Sequence, residues 1–177
     1  NLLVRGIIVP FRYKNSARTY REIWTKDGSP LIINSKKLLE KVKNALGENY
    51  VVELSMRYKN PSIEKALDNL KMAGVHKIIV FPLYPQYAAS SSAAALDKVF
   101  AVLQQQRNQM SVRTISRFYD DAGYIKAMKQ HIEAYWAVHG RGSKLMLSFH
   151  GIPQAGHDQG DPYPEECRHT AKLLAAA

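Results

Sequence analysis

The sequence predicts an α/β fold, a doubly wound parallel sheet with helices on both faces. Four short apolar segments rich in β-branched residues have the composition of buried strands. Helical patterns separate these segments, and strands joined by helices of this length imply right-handed crossovers and a parallel sheet. The predicted strands are residues 50–56, 77–83, 112–118 and 144–149.

Most of the predicted helices carry a start or stop signal of their own. Apolar residues at helical spacing fill residues 34–46, and Gly47 suits a C-terminal cap. Pro61 opens the next helix, because proline is tolerated in the first turn, and Gly74 ends it. Three further helical patterns occupy residues 92–106, 121–139 and 164–177.

The two ends of the chain lack parts that an α/β domain normally has. Residues 2–11 form an apolar stretch that contains Pro10, and a helical pattern over residues 16–25 follows it. A strand and a tight turn are usual at this point. No strand follows the last helical pattern. We therefore expect residues 1–177 to be an incomplete domain without its first strand.

The composition is that of a globular protein with a basic surface. Hydrophobic residues make up 46% of the 177 residues, enough to build a core. A formal net charge of +10 leaves nucleic acid, an anionic membrane, a carboxylated ligand and a merely solvated face open, although no nucleic-acid-binding motif is present. The single Cys167 excludes an internal disulfide. No signal peptide or membrane-spanning run is recognisable, so we expect a cytoplasmic protein.

Chemistry is expected just after the strands, because ligands of parallel sheets bind outside the carboxyl ends of the strands. His150 ends a predicted strand, and Gly151 lets the backbone turn so that the imidazole faces the crevice. Such a side chain accepts protons or binds a metal near neutral pH. Position alone does not decide the role, since a lone histidine at a strand end is often structural.

Two other strand ends carry candidate ligand-binding residues. Arg57 and Tyr58 offer a cation and a ring to a planar molecule with a carboxylate, although an arginine there is often only solvated. Residues 81–87 contain two prolines and the tyrosines Tyr84 and Tyr87. This composition predicts a stiff aromatic loop that flanks a flat ligand, or simply a stiff connection.

Four segments together resemble one family, the ferrochelatases. SFHGIP at residues 148–153 and GDPYP at residues 160–164 are similar to its signature. LYPQY at residues 83–87 and DGSPL at residues 27–31 are similar to two further segments, in the expected order. The resemblance spans nearly the whole chain. It implies a two-domain enzyme of which residues 1–177 are the N-terminal chelatase domain, with the second domain absent.

The resemblance also implies an activity and roles for individual residues. The activity is insertion of Fe²⁺ into a porphyrin, protoporphyrin IX or coproporphyrin III, with release of two protons in heme biosynthesis. His150 would be the catalytic base, the metal ligand or both, opposite a glutamate of the second domain. Arg57, Tyr58 and the loop residue Ser29 would bind the porphyrin, and Tyr84 and Tyr87 are candidate walls of its cleft. We expect the isolated fragment to be inactive.

Cofactor and membrane expectations follow from the same resemblance. Fe²⁺ is a substrate, and Ala89 stands where some members have a cysteine that holds an iron-sulfur cluster, so we expect no cluster ligand in this segment. The apolar residues 2–11 match a lip over the active site, which implies peripheral membrane contact. Ala155 and Gly156 replace an Arg-Tyr pair of many members, so that loop departs from the family.

Two other functions remain open on the sequence. A chelatase for sirohydrochlorin or cobalt would share the fold and the histidine, but would carry a second metal-binding histidine elsewhere. A flavodoxin-like, non-catalytic binding module would share the fold alone. No phosphate-binding loop with a convincing spacing follows a predicted strand, which speaks against the binding module.

Overall fold

A computed structural model describes residues 17–177, and its contacts divide the chain after Ser55 into two units. In the first unit, residues 17–23 are helical, and Thr25 and Gly28 exchange two backbone hydrogen bonds of 3.0 Å in a tight turn. Helix α1 follows as Pro30–Leu46. It begins four residues before the predicted start, at residue 30 and not 34, because Pro30 is itself suited to a first helical turn.

The second unit, Met56–Ala177, contains the sheet. Strands β1, Lys77–Val80, and β2, Ser111–Thr114, are parallel, with Lys77 opposite Ser111 and Val80 opposite Thr114. Helix α2, Ile63–Met72, precedes β1, and the crossover to β2 passes through a π-helical turn, Ala89–Ala93, and helix α3, Ala94–Leu103. The chain continues as helices α4, Ala122–His139, α5, Gln154–Asp158, and α6, Tyr163–Ala176.

The core of the second unit lies between the sheet and the helices α2 and α3. Burial of these apolar side chains, at about 25 cal/mol per Å² removed from water, holds the helices on the strands. Ile63 and Leu67, which lie one turn apart on α2, form part of this core. The buried cluster consists of Ile63, Leu67, Ile78, Val99, Val102, Leu103 and Met110.

The local signals in the sequence fix several helix ends. The Ser62 hydroxyl accepts a hydrogen bond of 3.2 Å from the Lys65 amide at the start of α2. The Asp121 carboxylate does the same for Tyr124, at 2.9 Å, at the start of α4. Each bond satisfies an amide that the first helical turn leaves without a partner. At the end of α1, Gly47 adopts a φ of 70°, which favours glycine.

Two of the four predicted strands are not strands in the structure. Residues 144–149 lie outside the sheet, and the Met146 side chain is 90% exposed. Of residues 50–56, only Met56 pairs, in an isolated bridge with Ser62. An apolar, β-branched segment becomes a strand only where a neighbour completes its ladder of hydrogen bonds, and composition does not report that neighbour. The described fold is therefore mixed helix and sheet, with a small parallel sheet.

Membrane contact was predicted for residues 2–11, which lie outside the described residues. Between residues 17 and 177, no helix has the length and apolar character that crossing a membrane requires.

Candidate functional site

The loops that follow β1 and β2 are joined at the carboxyl end of the sheet. Beyond the last paired residues, Ile115 donates a backbone hydrogen bond of 3.0 Å to Val80. Phe118 donates another, of 2.9 Å, to the carbonyl of Pro85, and its ring meets the Phe81 ring edge to face at 5.0 Å between centroids. The two strand ends predicted to carry chemistry are thus one connected surface.

Helix α6 holds the loop after β1 at three points. We call residues 85–89 the clamped loop. The Gln86 side-chain amide donates a hydrogen bond of 3.0 Å to the Thr170 hydroxyl, and the Tyr87 backbone amide donates one of 2.7 Å to the Glu166 carboxylate. The Ala89 amide donates 2.8 Å to Asp161, just before the helix. The bond between Gln86 and Thr170 is buried and shielded from competition by water, the bond to Glu166 is partly buried, and the bond from Ala89 to Asp161 is exposed.

An ion pair between the buried Glu166 and the partly exposed Arg117 completes this arrangement. Glu166, only 4% exposed, accepts a hydrogen bond of 2.6 Å from Arg117 in the loop after β2. The guanidinium carbon of Arg117 also lies 4.8 Å from the centre of the Tyr87 ring. Glu166 and Arg117 were not among the predicted site residues. In the sequence, Glu166 is an acid near the start of a helix, where acidic residues favour the positive end of the helix dipole, so it does not stand out as a site residue. Its i, i+4 spacing with Thr170 is the signal that places both on one buried face.

The predicted wall residues Tyr84 and Tyr87 lie in and beside this loop. Tyr84 is 43% exposed, and Tyr87 is half-buried with its ring against Arg117. The hydrogen bonds to α6 act on the backbone of residue 87 and the side chain of residue 86. The stiff aromatic loop expected from the sequence is therefore held by a helix, as well as by its prolines.

Arg57 and Tyr58 lie at the start of α3. The Nε of the half-buried Arg57 donates 2.7 Å to the carbonyl of Ala94, and its guanidinium carbon lies 4.7 Å from the centre of the Tyr58 ring. Tyr58 is 72% exposed. The arginine is thus anchored through one nitrogen, and it is not a freely solvated side chain.

His150 is exposed, and its ring is oriented by its neighbour. The imidazole Nδ1 lies 2.7 Å from the carbonyl oxygen of Gly151. A carbonyl only accepts hydrogen bonds, so this contact requires a proton on Nδ1 and leaves Nε2 of the neutral ring as an acceptor. The sequence predicted a ring that faces a crevice at a strand end, and the structure shows an exposed ring with no strand before it.

Helix α6 also touches the histidine segment. Burial raises the pKa of Tyr163, the first residue of α6, and its hydrogen-bonding contact with Cys167 adds to this, while a hydrogen bond with the His150 backbone acts in the opposite direction. The helix that holds the clamped loop through Glu166 and Thr170 is therefore in contact with the backbone beside the candidate base.

The remaining predicted features are Ser29 and the metal-binding role of His150. Ser29 belongs to the first unit, where it precedes α1 and its carbonyl accepts 3.0 Å from the Ile33 amide. Among the described residues, no group of three or more His, Cys, Asp and Glu side chains is placed to hold a metal ion. His150 is thus not part of a multi-ligand metal cluster within residues 17–177.

Comparisons with known proteins agree on one family. The family model described as Ferrochelatase matches residues 1–177. The ferrochelatase of Neisseria gonorrhoeae is 58% identical over 175 residues, which cover 99% of this chain and 52% of the relative. The ferrochelatase of Neisseria meningitidis serogroup C is 56% identical, again over 99% of this chain and 52% of the relative. The ferrochelatase of Chromobacterium violaceum is 47% identical over 180 residues, which cover 99% of this chain and 50% of the relative. The chain spans about half the length of these curated relatives.

Proposed function

This chain belongs to the ferrochelatase family, and we propose that the whole protein inserts Fe²⁺ into a porphyrin, protoporphyrin IX or coproporphyrin III, in heme biosynthesis. The reaction replaces two pyrrole N–H protons by the metal. The observation that carries the proposal is the exposed His150, whose Nε2 is left as a proton acceptor by the bond from Nδ1 to Gly151.

His150 is proposed as the catalytic base and as a metal ligand. The Gly151 carbonyl holds the ring with Nδ1 protonated, and it also stabilises the imidazolium that forms when Nε2 takes a pyrrole proton. The exposed ring then passes the proton to water. One histidine does not complete a coordination shell for Fe²⁺, and we propose that a glutamate of a second domain acts opposite it, as the resemblance implies.

The clamped loop is proposed as one wall of the porphyrin cleft. A planar porphyrin shields its central nitrogens, so a rigid aromatic surface that bends the ring lowers the barrier to metallation. Tyr84 and Tyr87 supply such a surface, and the hydrogen bonds from α6 supply its rigidity. Tyr58 and Ser29 are proposed as further contacts to the porphyrin. The basic net charge of +10 suits a substrate with carboxylates.

Arg57 is proposed to bind a porphyrin propionate. Its Nε is used by Ala94, and the remaining guanidinium N–H groups suit a carboxylate. Loss of a hydrogen bond between charged groups costs about 1.5 to 3 kcal/mol. Arg57→Ala should therefore raise the porphyrin Kd roughly 10-fold to 100-fold, measured by fluorescence quenching. The dimethyl ester of the same porphyrin is the control, and an equal loss of affinity for both would contradict the assignment.

The remaining features of the whole protein are proposals supported by the resemblance and by the length of the relatives. Residues 1–177 would form the N-terminal domain of a two-domain enzyme, and the small sheet would be part of a doubly wound sheet with helices on both faces. The apolar residues 2–11 support peripheral membrane contact of a cytoplasmic protein. Fe²⁺ is a substrate, and Ala89 supports the absence of a cluster ligand in this segment.

The test of the proposed function is anaerobic metallation by the full-length protein. Purified protein is given Fe²⁺ with protoporphyrin IX or coproporphyrin III, and separately Co²⁺ with sirohydrochlorin. We expect rapid formation of heme or iron coproporphyrin and release of two protons per metal inserted. Residues 1–177 alone should not catalyse it. Absence of porphyrin metallation, or a preference for cobalt and sirohydrochlorin, would contradict the proposal.

A further inference from the structure

We propose that Glu166 is a positioning residue, which fixes the orientation of the Tyr87 ring against the porphyrin through Arg117. The inference rests on the proposed function, because it assigns Tyr87 to the porphyrin wall. Glu166 itself is buried on α6, and we assign it no contact with the substrate.

The Glu166 carboxylate bridges the two strand-end loops. One oxygen accepts a hydrogen bond of 2.7 Å from the Tyr87 amide, after β1, and the other accepts one of 2.6 Å from Arg117, after β2. A carboxylate that is 4% exposed is stable only when its oxygens are paired. Both loops must therefore hold their donors at this one point.

Residue 87 is tied to the same carboxylate twice. Its backbone amide bonds Glu166 directly, and its ring lies against the Arg117 guanidinium, which Glu166 holds in turn. The guanidinium donates to the carboxylate and at the same time lies over the Tyr87 ring. Rotation of the Tyr87 ring would break that stacking while the ion pair stays intact.

The other contacts of the clamped loop separate this role from simple attachment. Gln86 is bonded to Thr170 of α6, and Ala89 to Asp161 just before the helix, so the loop is held on both sides of residue 87 without Glu166. Only Glu166 also fixes Arg117. With Arg117 45% exposed, the pair adds little net stability, so its effect on the position of the Tyr87 ring is the part that function can report.

The test is a double-mutant cycle on the full-length protein. Glu166→Gln should lower kcat/KM for porphyrin roughly 10-fold, with part of the loss in kcat, because a misplaced Tyr87 ring both binds and bends the porphyrin less well. In a Tyr87→Ala background, the same substitution should change kcat/KM by less than about twofold, since a residue that acts through Tyr87 has nothing left to position. Glu165→Gln is the matched control, because Glu165 is exposed on the same helix and pairs with Arg168.

The outcomes distinguish this inference from the proposed function. If the effects of Glu166→Gln and Tyr87→Ala on kcat/KM simply add, or if Glu166→Gln lowers Tm and leaves kcat/KM unchanged, Glu166 is only structural. Should Glu166→Gln not fold, Arg117→Lys keeps the charge but loses the planar stacking, and it should show the same dependence on Tyr87. If the wild-type protein metallates porphyrin but the effects of the two substitutions add, only the role of Glu166 is overturned. A wild-type protein that neither binds nor metallates porphyrin overturns the proposed function, and this inference with it.

Discussion

The clamped loop and the histidine segment, residues 144–151, differ sharply in how the second unit holds them. The clamped loop is bonded to the buried side chains Thr170 and Glu166 of α6, through the Gln86 side chain and the Tyr87 backbone amide. In the histidine segment, Met146 is 90% exposed, and the His150 ring bonds the carbonyl of the next residue. Within the described residues, the proposed substrate wall is thus rigidly held, while the proposed base is carried by a lightly packed segment.

The difference separates residues that build the site from residues that react. A side chain that takes up protons must reach water and substrate, so it contributes little packing energy. A surface that bends a ligand must resist deformation, so it needs buried, fully paired polar groups. Substitutions in the two regions should therefore give opposite patterns of stability and activity.

The largest stability effect is expected at the carboxylate that holds the clamped loop. Glu166→Ala leaves the Tyr87 amide and the Arg117 guanidinium without their acceptor. Because Arg117 is 45% exposed and can be solvated, the main cost is the unpaired amide, about 1 to 3 kcal/mol. Urea unfolding should show this loss. Glu165→Ala, on the exposed face, should cost less than about 1 kcal/mol, and equal costs would refute the contrast.

A smaller effect, visible only at alkaline pH, is expected from Cys167 on the buried face of α6. Burial raises the pKa of this thiol, the contact with Tyr163 lowers it, and Glu166 raises it. The folded thiol therefore stays protonated where the unfolded thiol ionises. Its contribution to stability is complete below the unfolded pKa of about 8.5 and is lost as pH rises through the folded pKa.

Cysteine-specific measurements check this sign. The urea concentration at the unfolding midpoint should decrease as the pH is raised from about 8 to about 10, and part of that decrease should be absent in Cys167→Ala. Native Cys167 should also react slowly with iodoacetamide and rapidly in urea, because the buried thiol is kept from forming thiolate. Rapid alkylation of the native protein would show that this face of α6 is open.

The smallest effect is expected in the histidine segment. Met146→Ser removes an apolar side chain that is 90% exposed, so the free energy of unfolding should change by no more than about 0.5 kcal/mol. Urea unfolding of the full-length protein measures it. A loss of about 2 kcal/mol or more would mean that residues 144–149 are packed as the buried strand that the sequence predicts.

Local features of the fold could be predicted from the sequence, and distant partners could not. Ser62, Asp121 and Gly47 mark helix ends because capping depends on residues three or four positions away. The bond between Glu166 and the Tyr87 amide joins residues 79 apart, and no local pattern specifies it. The strand predicted at residues 144–149 failed for the same reason, since a strand depends on a neighbour. For His150, the expected strand end is absent, and the structure shows an exposed ring on a segment that is not a strand.

The most direct test of the central claim, that His150 is reactive and not structural, measures metallation rate and unfolding midpoint on one preparation of full-length His150→Ala. We expect kcat to fall at least about 10²-fold, as for loss of a positioned acid-base group, while the free energy of unfolding changes by no more than about 0.5 kcal/mol. His131→Ala, an exposed histidine on α4, should leave both quantities unchanged. Retained kcat in a folded His150→Ala protein, or a large loss of stability with normal turnover, would contradict the account.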